Sequence, residues 1–237
     1  MGDSVKVGVI LFPGGNGDHD ALHALEHDLG YEVHGIDYRE TSLDGLDAVV
    51  LPGGFSYGDH LRCGAIARFS PVMPAVREMA EAGKPVLGIC NGFQVLCEAH
   101  LLPGALLRNA SLRFHSFDVF VKIEGAPTAW TQHVEAGTVL RLPVAHGEGA
   151  YYIDADGLAS LEANGQIVAR YCDADGAITD AANRNGSVAG IAAVCNTRRN
   201  VVGLMPHPER ATNALIGNAD GLCLLNSLVK TAAGALA

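Results

Sequence analysis

No two cysteines of this chain form a C-x-x-C pair: Cys63, Cys90, Cys97, Cys172, Cys195 and Cys223 stand far apart. That spacing offers neither a zinc site nor a disulfide framework, and it fits reduced thiols in a cytoplasmic protein. Basic residues are few, 16 against 26 Asp and Glu, and no basic run exceeds Arg198-Arg199. With a formal net charge of −10, the surface lacks the clustered cations that nucleic acid or an anionic membrane requires. No stretch approaches the roughly 20 apolar residues of a membrane span. The start, Met1-Gly-Asp-Ser-Val-Lys6, has no signal-peptide pattern, and Lys6 breaks the myristoylation pattern. A G-x-x-x-x-G-K-S/T loop is missing too, so the chain itself is not expected to bind ATP. The sequons Asn109-Ala-Ser111 and Asn185-Gly-Ser187 read as accidental.

What is present is a chain of 237 residues, 49% hydrophobic and 18% charged, able to bury a large core. In its first half, short β-branched runs alternate with helical stretches. Residues 5–11 read as a strand ended by Pro13-Gly-Gly-Asn-Gly17, with Asn16 or Asp18 placed to cap a helix that stops at Gly30. Further strands are predicted at 31–36 and 48–51, the latter ending at Pro52-Gly53-Gly54, and a helix over 66–82. This alternation predicts an α/β fold with a mainly parallel sheet, whose ligand site lies at the carboxyl ends of the strands. Beyond about Leu101 the stretches 112–123, 139–144, 167–171 and 188–193 predict an antiparallel, strand-rich extension. Residues 201–205 read as one more strand and 221–235 as a closing helix. No repeat or linker divides the chain, so residues 5–235 are expected to form one domain.

Chemistry concentrates in Lys84-Pro-Val-Leu-Gly-Ile-Cys-Asn-Gly-Phe-Gln-Val-Leu-Cys97. Val86, Leu87 and Ile89 suit a short buried strand, and Phe93, Val95, Leu96 and Cys97 fall at helical spacing. A cysteine between the two, flanked by Gly88 and Gly92, is the thiol form of the G-x-S-x-G nucleophile elbow. A nucleophile in a strained turn leaves no room for a Cβ two residues away on either side. A helix N-terminus behind it favours a thiolate. Such a nucleophile needs a base and a group to orient the base. His207-Pro-Glu209 supplies both, because residues i and i+2 of an extended chain face one side, and Pro206 and Pro208 hold the backbone extended. His146-Gly-Glu148 has the same spacing, but Gly147 and Gly149 leave it loose, which favours His207. Oxyanion donors are expected from the backbone N–H of Asn91 and from a glycine of Pro52-Gly53-Gly54-Phe55. Gln94, four residues beyond Cys90, is placed to hold a polar substrate. His19, His23 and His27 recur at a spacing that can hold zinc, but no catalytic motif joins them. They read as a polar helix face, and no metal is expected.

Taken in order, Pro52-Gly-Gly, Gly88-Ile-Cys-Asn-Gly-Phe-Gln94 and His207-Pro-Glu209 resemble class I (triad) glutamine amidotransferases across nearly the whole chain. Residues 54–68, Arg108-Asn-Ala-Ser111 and Pro143-Val-Ala-His-Gly-Glu-Gly149 resemble the branch that serves phosphoribosylformylglycinamidine synthase in purine biosynthesis. Asn91 departs from the wider class, where glycine follows the cysteine, but fits this branch. The resemblance implies a three-layer αβα, flavodoxin-like fold and hydrolysis of glutamine to glutamate and ammonia through a cysteine thioester. It implies Cys90, His207 and Glu209 as the catalytic triad and Gly54 and Asn91 as the oxyanion hole. Phe55, Gln94, Asn109, Ser111 and His146 would then surround the glutamine. It implies no cofactor in this chain. A separate formylglycinamidine ribonucleotide synthetase large subunit would use ATP and magnesium and take the ammonia, with or without a third small subunit. That partner is expected on another chain because this one ends at Ala237. Two other enzyme readings are a glutaminase subunit of another amidotransferase and an intracellular cysteine peptidase or hydrolase of similar fold. The latter usually lacks a His-Pro-Glu near its C-terminus. A non-catalytic interaction module would have no need of intact Cys90, His207 and Glu209.

Overall fold

A computed structural model describes residues 5–125 and 127–235. Among them, strands β1 (Lys6–Leu11), β2 (Glu32–Asp37), β3 (Ala48–Leu51), β4 (Val86–Ile89), β5 (Ala105–Leu107) and β6 (His115–Ile123) precede β7 (Val139–His146), β8 (Ala150–Tyr152), β9 (Ile167–Cys172), β10 (Ile191–Cys195) and β11 (Val201–Leu204). Nine of them form one sheet in the order β2-β1-β3-β4-β11-β10-β9-β6-β7, and β5 pairs with β8 alone. The first five neighbours run parallel and the last four pair antiparallel. The antiparallel extension therefore continues the parallel sheet, giving a mixed α/β fold.

Every residue of β3, β4 and β11 is buried, as expected of parallel strands covered by helices on both faces. Helix α1 (Asp18–His23), drawn out by a π-helical turn over Ala24–Asp28, connects β1 to β2. Helix α2 (Met73–Glu81) connects β3 to β4, stepping across the sheet in the opposite direction. Right-handed crossovers therefore place α1 and α2 on opposite faces. Helix α3 (Asn91–Glu98) lies on the α2 side, where Arg77 donates to the carbonyl of Ala99. The closing helix α5 (Leu222–Ala235) lies on the α1 side, tied by Tyr31 Oη to Asn226. No helix of the described residues is long and apolar enough to cross a membrane.

Several boundaries differ from the sequence reading, each for a local reason. The helix expected over 66–82 starts only at Met73, because Pro71 holds Ser70 extended, at φ −59° and ψ 144°. Neither Asn16 nor Asp18 caps α1; Gly17 is the N-cap and makes no side-chain bond. Strand β6 begins at His115 because Leu112 takes φ +55°, and β10 begins at Ile191 because Ala189 takes φ +51°. Helix α4 (Ala155–Ala163) interrupts the strand-rich half; Asp154 caps it by accepting from Gly157 N at 2.8 Å.

Candidate active site

The register of β4 on β11 brings the chemistry together. Ile89 pairs with Leu204, and Cys90 N donates to Leu204 O at 2.8 Å, so the residues just past both strand ends emerge side by side. Cys90 turns there with φ 49° and ψ −101°, a sparsely populated conformation for a residue with a Cβ. The flanking glycines make the turn possible. A Cβ on Gly92 would lie 1.9 Å from Leu51 O, and one on Gly88 would lie 2.6 Å from Gly92 backbone atoms. Strand β3 and helix α3 approach too closely at the elbow for any side chain.

Past β11, His207 stays extended, with φ −105° and ψ 90°, and its N–H donates to Pro143 O of β7 at 2.9 Å. The antiparallel half thus curls back against the ends of the parallel strands. His207 Nδ1 donates to Glu209 Oε1 at 2.6 Å, with both side chains buried. That bond leaves Nε2 as the working nitrogen. Among the described residues it has no hydrogen-bond partner, and the Cys90 sulfur lies near enough to act on the imidazole's charge. Burial opposes that charge, but the Glu209 carboxylate and the Cys90 sulfur outweigh it, so the His207 pKa is raised to about 10. That balance favours the imidazolium form of the base.

Two backbone N–H groups stand ready beside Cys90. That of Asn91 opens α3 and, among the described residues, meets no acceptor. That of Gly54 is likewise unclaimed, while Gly53 O accepts from Gly17 N at 3.0 Å. Because the Gly53–Gly54 peptide is trans, fixing its carbonyl toward the β1 loop aims its N–H the other way. Gly54 itself takes φ +149°, and a Cβ there would meet Asn16 N and the Gly15 Cα at 2.9 Å. Only glycine fits.

The other expected residues divide. Gln94 lies in the site, accepting from Asn91 Nδ2 at 2.9 Å and donating to Glu148 O at 2.6 Å. Phe55 sits partly exposed at the lip and stacks on Phe114, ring centroids 6.5 Å apart. His146 is buried beside the site, but its pKa is lowered to about 3 by burial and by the neighbouring His115 and His207. Its Nδ1 donates to Asn109 Oδ1 at 3.0 Å. An imidazole so reluctant to take a proton is a poor base, which leaves that role to His207. Asn109 requires correction as a glutamine contact. It is fully buried; Nδ2 donates to Arg113 O and His146 O, and Oδ1 accepts from His146 Nδ1 and Gly149 N. With its hydrogen-bonding capacity filled, Asn109 fastens the His146–Gly149 turn instead. Ser111 is likewise one step removed, its hydroxyl bonded to His115 Nε2 at 2.8 Å. The histidines of the first helix pair locally, His23 with Asp28 and His27 with Glu26, each at 3.8 Å. Among the described residues no group of three or more His, Cys, Asp or Glu is arranged to hold a metal ion.

A strained cysteine, a carboxylate-oriented histidine and two free amides compose an acyl-transfer site. A sequence model of the CobB/CobQ-like glutamine amidotransferase domain matches residues 4–220. The chain belongs to this glutamine amidotransferase family. Phosphoribosylformylglycinamidine synthase subunit PurQ of Thermomicrobium roseum is 60% identical over 225 residues, which cover 95% of each chain. The subunit of the same name from Moorella thermoacetica is 54% identical with the same coverage. Among solved structures, PurLQS from Thermotoga maritima superposes with a TM-score of 0.84 at 40% identity, covering 96% of this chain and 98% of that one.

Sequence reasoning gave no role to two residues of this glutamine amidotransferase site, Asp59 and Cys63, and took Gly53 only as a candidate oxyanion donor. Gly53 lies against the catalytic pair: a Cβ there would sit 2.5 Å from His207 Cε1 and 3.5 Å from Cys90 Cβ. Asp59, at the end of a 3₁₀ turn, accepts from Asn91 Nδ2 at 3.4 Å, and Cys63 lies near the Asp59 carboxyl. The signal available for them was the run of positive-φ residues Tyr57, Gly58 and Asp59, and conformations of that kind are visible only in the fold.

Proposed function

We infer that this chain is the glutamine-hydrolysing subunit of a phosphoribosylformylglycinamidine synthase in de novo purine biosynthesis. It releases ammonia from glutamine for a separate synthetase subunit. The observation that carries the chemistry is the placing of Cys90 and the His207–Glu209 pair at adjoining ends of β4 and β11. In the proposed mechanism the Cys90 sulfur attacks the side-chain amide carbon of glutamine. The Asn91 and Gly54 N–H groups receive the developing oxyanion. His207, held protonated by Glu209, gives its proton to the departing ammonia and then, as the neutral base, takes one from the water that cleaves the γ-glutamyl thioester. Glutamate leaves and the imidazolium is restored. Gln94, Phe55 and His146 border the glutamine in this reading.

The name PurLQS of the matching Thermotoga maritima structure supports a synthetase large subunit and a small third subunit as partners. ATP and magnesium would belong to the synthetase, and this chain would need no cofactor. Residues 5–235 are read as one catalytic domain. A cytoplasmic location is supported by six unpaired cysteines. The test is covalent labelling by diazo-oxonorleucine in the complex assembled with the synthetase and its nucleotide. Modification of Cys90 together with loss of glutamate release is expected; an unlabelled Cys90 in an active complex refutes the assignment.

A further inference from the structure

The turn that brings Glu209 beside His207 also delivers an arginine. Pro208–Arg210 form a 3₁₀ turn, and Arg210 N donates to His207 O at 3.3 Å. Its guanidinium Nε stands 3.9 Å from Glu209 Oε1, the oxygen that accepts from His207 Nδ1. The Glu209 side chain is 0% exposed, and its Oε2 has no hydrogen-bond partner among the described residues. Among them, His207 and Arg210 are the only cationic side chains within ion-pair distance of that carboxylate.

The first helix holds the arginine in place. Asp20 Oδ2 accepts from Arg210 Nε at 2.8 Å, across 190 positions of sequence. Two residues further on, Thr212 Oγ1 donates to Asp28 Oδ2 at 2.6 Å, a second tie to the same helical stretch. Gly17, just before α1, donates to Gly53 O and so fixes the peptide whose N–H is offered to the oxyanion. One stretch of chain therefore steadies both the oxyanion donor and the base. The side chains of Asp20 and Arg210 are 44% and 28% exposed, and so open an ion pair adds little to stability. What the pair does is fix the place of a charge.

The reaction gives that charge a use. In the mechanism proposed above, His207 gives its proton to the departing ammonia and is then neutral. The buried Glu209 carboxylate loses its charged partner at that moment, and a buried charge left alone is costly. A guanidinium keeps its proton, so Arg210 remains a countercharge through both halves of the cycle. We propose that Arg210, anchored by Asp20, is a positioning residue of the hydrolysis: it balances the Glu209 carboxylate while His207 is neutral and so eases release of the proton. The proposal rests on the glutaminase reading above.

The experiment measures glutamate release by the complete complex with the synthetase, for Arg210→Met, Arg210→Lys and Asp20→Ala. Arg210→Met keeps a long side chain and removes the charge. It should lower kcat and kcat/KM alike by about tenfold, with KM nearly unmoved, the Asp20 charge already offsetting part of the guanidinium's field. Arg210→Lys should recover most of the loss. Asp20→Ala should cost less, and should add nothing in the Arg210→Met background. The γ-hydroxamate of glutamate releases hydroxylamine, a weaker base than ammonia that needs the proton less, so there the Arg210→Met loss should be smaller. If Arg210→Met does not fold, Asp20→Ala, a change at a half-exposed residue, gives the same comparison of substrates. Equal losses on both substrates, or a lysine variant as slow as the methionine one, would mark Arg210 as structural and overturn the proposal. So would turnover of glutamine by Arg210→Met within about twofold of native. In those cases a native complex that releases glutamate leaves the glutaminase reading standing; a native complex that does not hydrolyse glutamine sinks both.

Discussion

Gly53→Ala tests the placement of the base without replacing a reacting group. The backbone of Gly53 lies outside the left-handed region, so alanine introduces no conformational strain there. What it introduces is a methyl group 2.5 Å from His207 Cε1, against ordinary contacts of 3.4–4 Å. Relief requires the imidazole to withdraw by about 1 Å, a misplacement that costs on the order of a hundredfold in turnover. The ring cannot turn aside freely, because Glu209 Oε1 holds Nδ1 at 2.6 Å. Two assays separate the effects: glutamate release by the assembled complex, and a thermal melt of the isolated chain. Turnover should fall by about a hundredfold, with a melting temperature close to that of the native chain. Turnover within about threefold of native would show that a shift of this size does not matter to the proton transfer, and the His207 assignment would lose its geometric basis.

His207→Ala should lower turnover by at least roughly a hundredfold, the usual scale for losing a general base. His146→Ala should act mainly on KM or on activation by the partner; steady-state kinetics of both variants decide between the two histidines. Because the folded-state pKa of His207 is raised, the proton and its stabilising interactions are fully present below the ordinary histidine value. They are lost as pH rises through about 10. Glutaminase activity and thermal stability should therefore hold through neutral pH and decline together toward that value. In Glu209→Gln the decline should move to lower pH; an unmoved profile would remove Glu209 as the source. Gly92→Ala should prevent stable folding, since its methyl would lie 1.9 Å from a backbone oxygen of β3, and circular dichroism of the purified chain tests this.

The centre of the parallel half was legible because its strands are short apolar runs, as in Ala48–Leu51, which stops at Pro52. Cys90, Gly88 and Gly92 were legible because a nucleophile elbow imposes its glycines at fixed spacing. His207 and Glu209 were readable as a pair, but a 3₁₀ turn over Pro208–Arg210, not alternation along an extended strand, brings them together. What escaped depends on contacts distant in sequence. Asn109 was expected around the glutamine, yet the fold buries it under the turn at residues 146–149. Ser56 and Asp59 join the site through hydrogen bonds to Asn91, 35 and 32 positions away, and no local pattern announces such a contact. Helix α4 was missed because its run, Ala-Asp-Gly-Leu-Ala-Ser-Leu-Glu-Ala, has weak periodicity and contains a glycine.

The claim on which everything turns is that Cys90 carries the γ-glutamyl group. Acid-quenching the assembled complex during turnover of isotopically labelled glutamine, digesting it and sequencing the peptides by mass spectrometry tests this directly. The label should appear as a thioester on the peptide that spans residues 84–97, at Cys90, and should be absent from Cys90→Ala. Label on another cysteine, or continued turnover by Cys90→Ala with no acyl-enzyme, would contradict the account.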